Sequence, residues 1–227
     1  MITSYTVNRT RPVEHIAEGR TQESLDGIEA VAMDMWEPYI QATRARVPEA
    51  AAKIVFDRFH IMGHIGKAVD TVRKHEHRAL MASGDETLKG SKYLWLYSQE
   101  NVPAQRREEF AALKRQELKV GRAWAIKEAL RCLWHYVYPA SGWKFWKRWY
   151  FWATHSRLEP IRKAAETVRR HIENILTYYQ HPVTNAMSEG LNSQIQKIKS
   201  MACGFRNIEH FKTAIYFHCG GLDLYPC

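Results

Sequence analysis

Two short apolar runs, each ending in an aspartate, constrain this chain most. Ile28 to Met33 reads I-E-A-V-A-M and runs into Asp34, and Ile54-Val55-Phe56 runs into Asp57. Between them Pro38 to Arg46 has helical character, with Pro38 allowed in a first turn and the helix stopping before Pro48. Short apolar runs on either side of a helix predict a β-α-β unit, whose parallel strands are buried on both faces. Upstream, Ser4 to Val7 and Pro12 to Ala17 are short and strand-like. Thr21 to Gly27 reads as a short helix with Thr21 as its N-cap. The first segment is therefore expected to be α/β.

From His60 to Gln180 the pattern changes to helix alone, with breaks expected at Ser83-Gly84, near Pro103, at Pro139 to Gly142 and at Pro182. A dense aromatic block runs from Trp134 to Trp152, and within it Trp146, Trp149 and Ala153 have the spacing of one helix face. These aromatics read as helix core, with base stacking or DNA-backbone contact as the alternative. After His181-Pro182 a further helix is expected, with Leu191, Ile195, Ile198 and Ala202 as its apolar stripe, Ser188 as a cap and Gly204 at its end. Glu189, Asn192, Gln196 and Lys199 fall on a different face, which suits either a phosphate-handling site or plain solvation.

The chain has 227 residues and 45% hydrophobic content, enough for one substantial domain or a domain with a large insertion. No stretch approaches the roughly 18 apolar residues of a membrane span, and the N-terminus lacks the layout of a secretory signal. The four cysteines are widely spaced and form no C-x-x-C pair, which argues against a zinc ribbon and fits a reducing cytoplasm. Thirty-three Lys and Arg against twenty-four Asp and Glu leave a charge of +9, which favours a polyanionic partner through counterion release.

Carboxylates at the carboxyl ends of strands sit where α/β folds build their sites. Oxygen-only ligands suit Mg²⁺ or Mn²⁺, which also take phosphate oxygens. Two such ions about 4 Å apart can activate a hydroxyl and stabilise the leaving oxygen of an in-line displacement. His60 and His64 lie four apart on an expected helix. With no third close ligand, they read as structural or DNA-contacting.

Three runs carry a resemblance. A-M-D-M-W-E-P-Y at Ala32 to Tyr39, V-F-D-R-F-H at Val55 to His60, and T-N-A-M-S-E-G-L-N at Thr184 to Asn192 are similar to the DDE transposases of the ISL-three insertion-sequence family. G-F-R-N at Gly204 to Asn207 is similar too, and the resemblance extends over nearly the whole chain. It implies an α/β, ribonuclease H-like core with a large all-helical insertion. Residues 1–66 would form the first part of that core, 67–180 the insertion, and 181–227 the part with the catalytic-glutamate helix.

Carried over by motif, Asp34 is the second acid of the triad and Glu189 its glutamate, both as catalytic groups and as metal ligands. Asp57 and His60 belong to an accessory D-x-x-H motif, with Asp57 the alternative second acid. Asn185 and Asn192 flank Glu189 and either orient it or serve turns and caps. Lys197, Lys199 and Arg206 are the expected DNA contacts. The implied cofactor is a pair of Mg²⁺ or Mn²⁺ ions. The implied partner is DNA, at the element ends and at the target, with a homo-oligomer assembled on it.

The family fold opens on a strand bearing the first aspartate, whereas no aspartate here precedes Asp26, which sits in an expected turn. The resemblance thus implies a core truncated before its first ligand. Two classes follow: an enzyme of DNA strand cleavage and transfer, or a catalytically inactive DNA-binding or regulatory derivative. A degenerate product without function is a third.

Overall fold

In the computed structural model, residues 2–4, 21–183 and 186–220 are described, with the side chains of 2–4, 186–189 and 192 excepted. The chain opens with β1 (Ile2–Ser4), α1 (Gln22–Asp26), β2 (Ala30–Met33) and α2 (Glu37–Arg46). Next come α3 (Ala50–Lys53), β3 (Ile54–Phe56), α4 (Arg58–Ala82), α5 (Lys92–Leu96), α6 (Arg107–Arg115) and α7 (Lys119–Arg131). It continues with α8 (Pro139–Thr154), α9 (Glu159–Arg170) and α10 (Ile172–Leu176), and finishes on α11 (Ala186–Met201) and α12 (Ile208–Cys219). The fold is mostly helical with a small sheet, compatible with the expected α/β class. No described helix is long and apolar enough to cross a membrane. The chain divides into two compact units, one of residues 1–48 with 183–227 and one of residues 49–182.

In the first unit β1 and β2 run parallel, with Ile2 opposite Ala30 and Ser4 opposite Ala32. All four β2 residues are buried, as a parallel strand covered on both faces requires. Thr21 caps α1 as expected, its hydroxyl accepting the Ser24 N–H at 3.3 Å. Pro38 lies in the first turn of α2. The Pro12 to Ala17 strand expected from sequence lies outside the described residues.

The second unit is built on α4, a helix of 25 residues that packs against α7 and α9. Ile61, Ile65, Ala68, Val69 and Val72 recur at helical spacing and are buried along its inner face. Both carboxylate oxygens of Glu76 on α4 accept N–H groups of the first turn of α7, from Lys119 and Val120, each at 2.7 Å. Those donors have no partner inside their own helix, and the carboxylate also complements the helix dipole. Trp146, Trp149 and Ala153 of α8 are buried together, and the Trp149 indole N–H donates to Ile126 O at 2.8 Å.

The helix breaks mostly fall where expected. Ser83 caps the end of α4 and Gly84 follows with φ +79°. The break expected over Pro139 to Gly142 is corrected, because Pro139 starts α8 and Gly142 lies inside it. Pro at a first turn leaves no intrahelical bond unmade, so it initiates this helix.

Candidate active site

Asp34 follows the last residue of β2 and is half-buried. Its Oδ1 accepts the Met35 N–H at 2.6 Å, which orients the carboxylate against the strand end. Two residues on, Trp36 caps α2, its carbonyl accepting Tyr39 N at 3.0 Å and Ile40 N at 3.2 Å. The rings of Trp36 and Tyr39 meet edge to face at 4.6 Å. Burial, and after it the negative charge of Asp34, hold the Tyr39 phenol above its ordinary range. Tyr39 thus stays protonated in the field of the carboxylate. Sequence reasoning missed it, although it closes the same A-M-D-M-W-E-P-Y run.

Asp57 occupies the equivalent place after β3 in the other unit, but it is only 4% exposed. It is the N-cap of α4, with Oδ1 accepting Phe59 N at 2.6 Å. A carboxylate there satisfies an orphan donor and complements the helix dipole. His60 is half-buried in the first turn of α4, its ring 5.7 Å from that of Phe59, and His64 is exposed one turn on. The strand leading to Asp57 is anchored from α10. The Asn174 amide donates to Ala51 O at 2.7 Å and Ile54 O at 3.2 Å, and the Phe56 ring meets His171 at 5.1 Å.

Glu189 and Asn192 lie on α11, but their side chains, and all of Asn185, lie outside the described residues. The expected closeness of Asp34 and Glu189 lies outside them too. α11 begins at Ala186, so Ser188 sits inside its first turn and is not its cap. The expected apolar stripe of α11 is only partly covered: Ile198 is 6% exposed, whereas Leu191 is 43% exposed and Ala202 is also exposed. A stripe is buried only where another element lies against it. Gly204 does end this stretch, with φ +99° and its N–H on Lys199 O at 2.9 Å. Lys197, Lys199 and Arg206 are all exposed. Among the described residues no group of three or more His, Cys, Asp or Glu could hold a metal ion.

In the helical unit α8 and α9 expose a surplus of cations. Glu159 pairs with Arg162 and Lys163, and Glu166 with Arg169. Lys144, Lys147, Arg148 and Arg157 are exposed and, among the described residues, have no carboxylate partner.

A family model described as "Transposase", that of the ISL3 (ISL-three) DDE group, matches residues 4–215. The transposase for insertion sequence element IS1001 of Bordetella parapertussis is 29% identical over 187 residues, covering 81% of this chain and 46% of the relative. The transposase for insertion sequence element IS1557 of Mycobacterium tuberculosis is 26% identical over 120 residues, covering 53% of this chain and 27% of the relative. The chain thus spans less than half the length of these curated relatives. No solved structure gives a significant match.

Proposed function

The chain belongs to the ISL3 family of insertion-sequence transposases, and on that premise we propose that it serves metal-dependent cleavage and strand transfer of DNA. The match over residues 4–215 carries the reading. In it, 1–66 and 181–227 are two parts of one ribonuclease H-like core and 67–180 is the helical insertion.

Asp34 and Glu189 are the carboxylates that would hold a divalent ion. Asp34 fits such a group, since it offers oxygen donors at the end of a fully buried strand, the donor type that Mg²⁺ or Mn²⁺ takes. When bound, two such ions supply charge neutralisation at the phosphate and a lowered pKa for the attacking hydroxyl. The protonated Tyr39 phenol is a hydrogen-bond donor for a phosphate oxygen or for Asp34 itself. Lys197, Lys199 and Arg206, together with the cations of α8 and α9, neutralise DNA phosphates. Asp57 fixes the start of α4, with His60 in its first turn. The reading places the protein in the cytoplasm, acting on element ends and target DNA as an oligomer assembled there.

The test uses labelled element-end DNA with Mg²⁺ or Mn²⁺. Metal-dependent cleavage at the element end is the expected activity. Asp34→Asn and Glu189→Gln abolish cleavage while DNA binding persists. Cleavage that survives either substitution overturns the assignment.

A further inference from the structure

A cavity of about 640 Å³ lies along α4 in the helical unit, a volume in the range of small-molecule sites. Arg58, Met62, Gly66 and Asp70 line it at four-residue spacing, and Phe59, Gly63 and Lys67 do the same one position on. These are two adjacent rows of one helix face. The opposite wall comes from Lys92 and Leu96 of α5 and from Lys127, Glu128 and Arg131 of α7.

Three features of this cavity have no structural explanation. Phe59 is 68% exposed, so its ring contributes little to the core. Gly63 and Gly66 lie within a long helix, where glycine is unfavourable, yet an added Cβ at either meets nothing within 4 Å. Packing does not demand them, and their lack of side chains keeps the cavity open. Finally, Arg58, Lys67 and Lys92 make no ion pair among the described residues. Of the acids of the wall, Asp70 is fully paired, while Glu128 Oε1 is buried without a hydrogen-bond partner among the described residues. Asp70 pairs with Arg73 and Lys74, both at 2.8 Å, and Glu128 lies by Lys127 and Arg131 while accepting Gln99 N at 2.9 Å.

An open apolar floor with an exposed aromatic ring, edged by unpaired cations, matches a ligand with a flat ring and a phosphate. We propose that this cavity is a subsite for one unpaired nucleotide of a DNA strand, its base against Phe59 and Leu96 and its phosphates on Arg58, Lys67 and Lys92. Stacking on an aromatic side chain tolerates any base, and the cations follow the backbone. A base inside a duplex cannot reach such a pocket without leaving its stack, so the subsite selects DNA that is bulged, frayed or opened. The inference rests on the DNA reading above and adds to it a preference that phosphate contacts alone do not produce.

The test measures affinity of the full chain for a paired duplex and for the same duplex with one bulged nucleotide. The bulged duplex is expected to bind roughly tenfold tighter, the range of one base–aromatic stack. Phe59→Ala and Gly66→Leu, the second of which fills the cavity, erase this preference and leave paired-duplex affinity within about twofold. The triple change Arg58→Gln, Lys67→Gln, Lys92→Gln weakens the bulged duplex more than the paired one. Equal affinities for the two duplexes, or a preference that survives both Phe59→Ala and Gly66→Leu, overturn the subsite and leave the DNA reading intact. Failure to bind either duplex at low salt overturns both together.

Discussion

Asn174 on α10 donates its amide to the carbonyl of Ile54, the first residue of β3, at 3.2 Å, and the same amide reaches Ala51 O at 2.7 Å. One side chain thereby ties α3 to the first residue of β3, and β3 delivers Asp57 to the start of α4. Asn174 is 8% exposed and Ile54 fully buried.

Replacing Asn174 by Ala leaves two carbonyls without this donor. The expected loss is about 1–3 kcal/mol of unfolding free energy, the cost of leaving the buried Ile54 carbonyl unsatisfied. Urea denaturation at constant m-value measures it, and an unchanged midpoint shows that water replaces the amide at no cost.

The ammonium of Lys127 donates to Trp95 O, Leu96 O and Tyr97 O at 3.2, 3.1 and 2.7 Å, which closes the C-terminal end of α5. Lys127→Met removes all three bonds and is expected to cost about 1–3 kcal/mol at neutral pH.

Burial pulls the Lys127 ammonium from its ordinary 10.5 down to about 8, against the opposing effect of Glu128. The folded state therefore releases this proton first, and between those two values the unfolded state holds more protons. Stability gains a contribution as pH rises through that window, up to about 3 kcal/mol for the full interval, and Lys127→Met lacks it. Denaturation midpoints of both proteins from pH 7 to 10.5 check the sign. A contribution that falls with rising pH contradicts it.

Glycines inside helices divide by sign. An ideal Cβ on Gly142 would lie 2.6 Å from Tyr179 Cε2, and the Tyr179 hydroxyl is held on Leu133 O. Gly142→Ala is expected to destabilise by about 1–3 kcal/mol through overpacking, read as a lower thermal midpoint.

Gly63→Ala and Gly66→Ala meet nothing, so each is expected to stabilise by about 0.5–1 kcal/mol by lowering the entropy of the unfolded chain and improving helix propensity. Calorimetry of the two variants checks it, and a loss at either position would show a close contact there.

Much of the fold was legible in local pattern. The β2 and β3 runs, the Thr21 cap, Pro38 in a first turn, the Trp146–Trp149–Ala153 face and the turn at Gly84 all follow from interactions within a few residues, which the order of side chains specifies directly. Asp34 and Asp57 were recognisable as strand-end acids for the same reason. Their different settings were not legible. Asp57 is a buried cap, while Asp34 is half-buried with its charge bearing on Tyr39. Gly142 read as a break because its partner, Tyr179, stands on a segment that local pattern cannot bring near. The cavity along α4 and the Lys127 cap were equally hidden, since each joins residues about thirty positions apart or more. Periodicity assigns a face to each helix, but only packing decides what lies against that face, because contact across a fold depends on how whole elements meet.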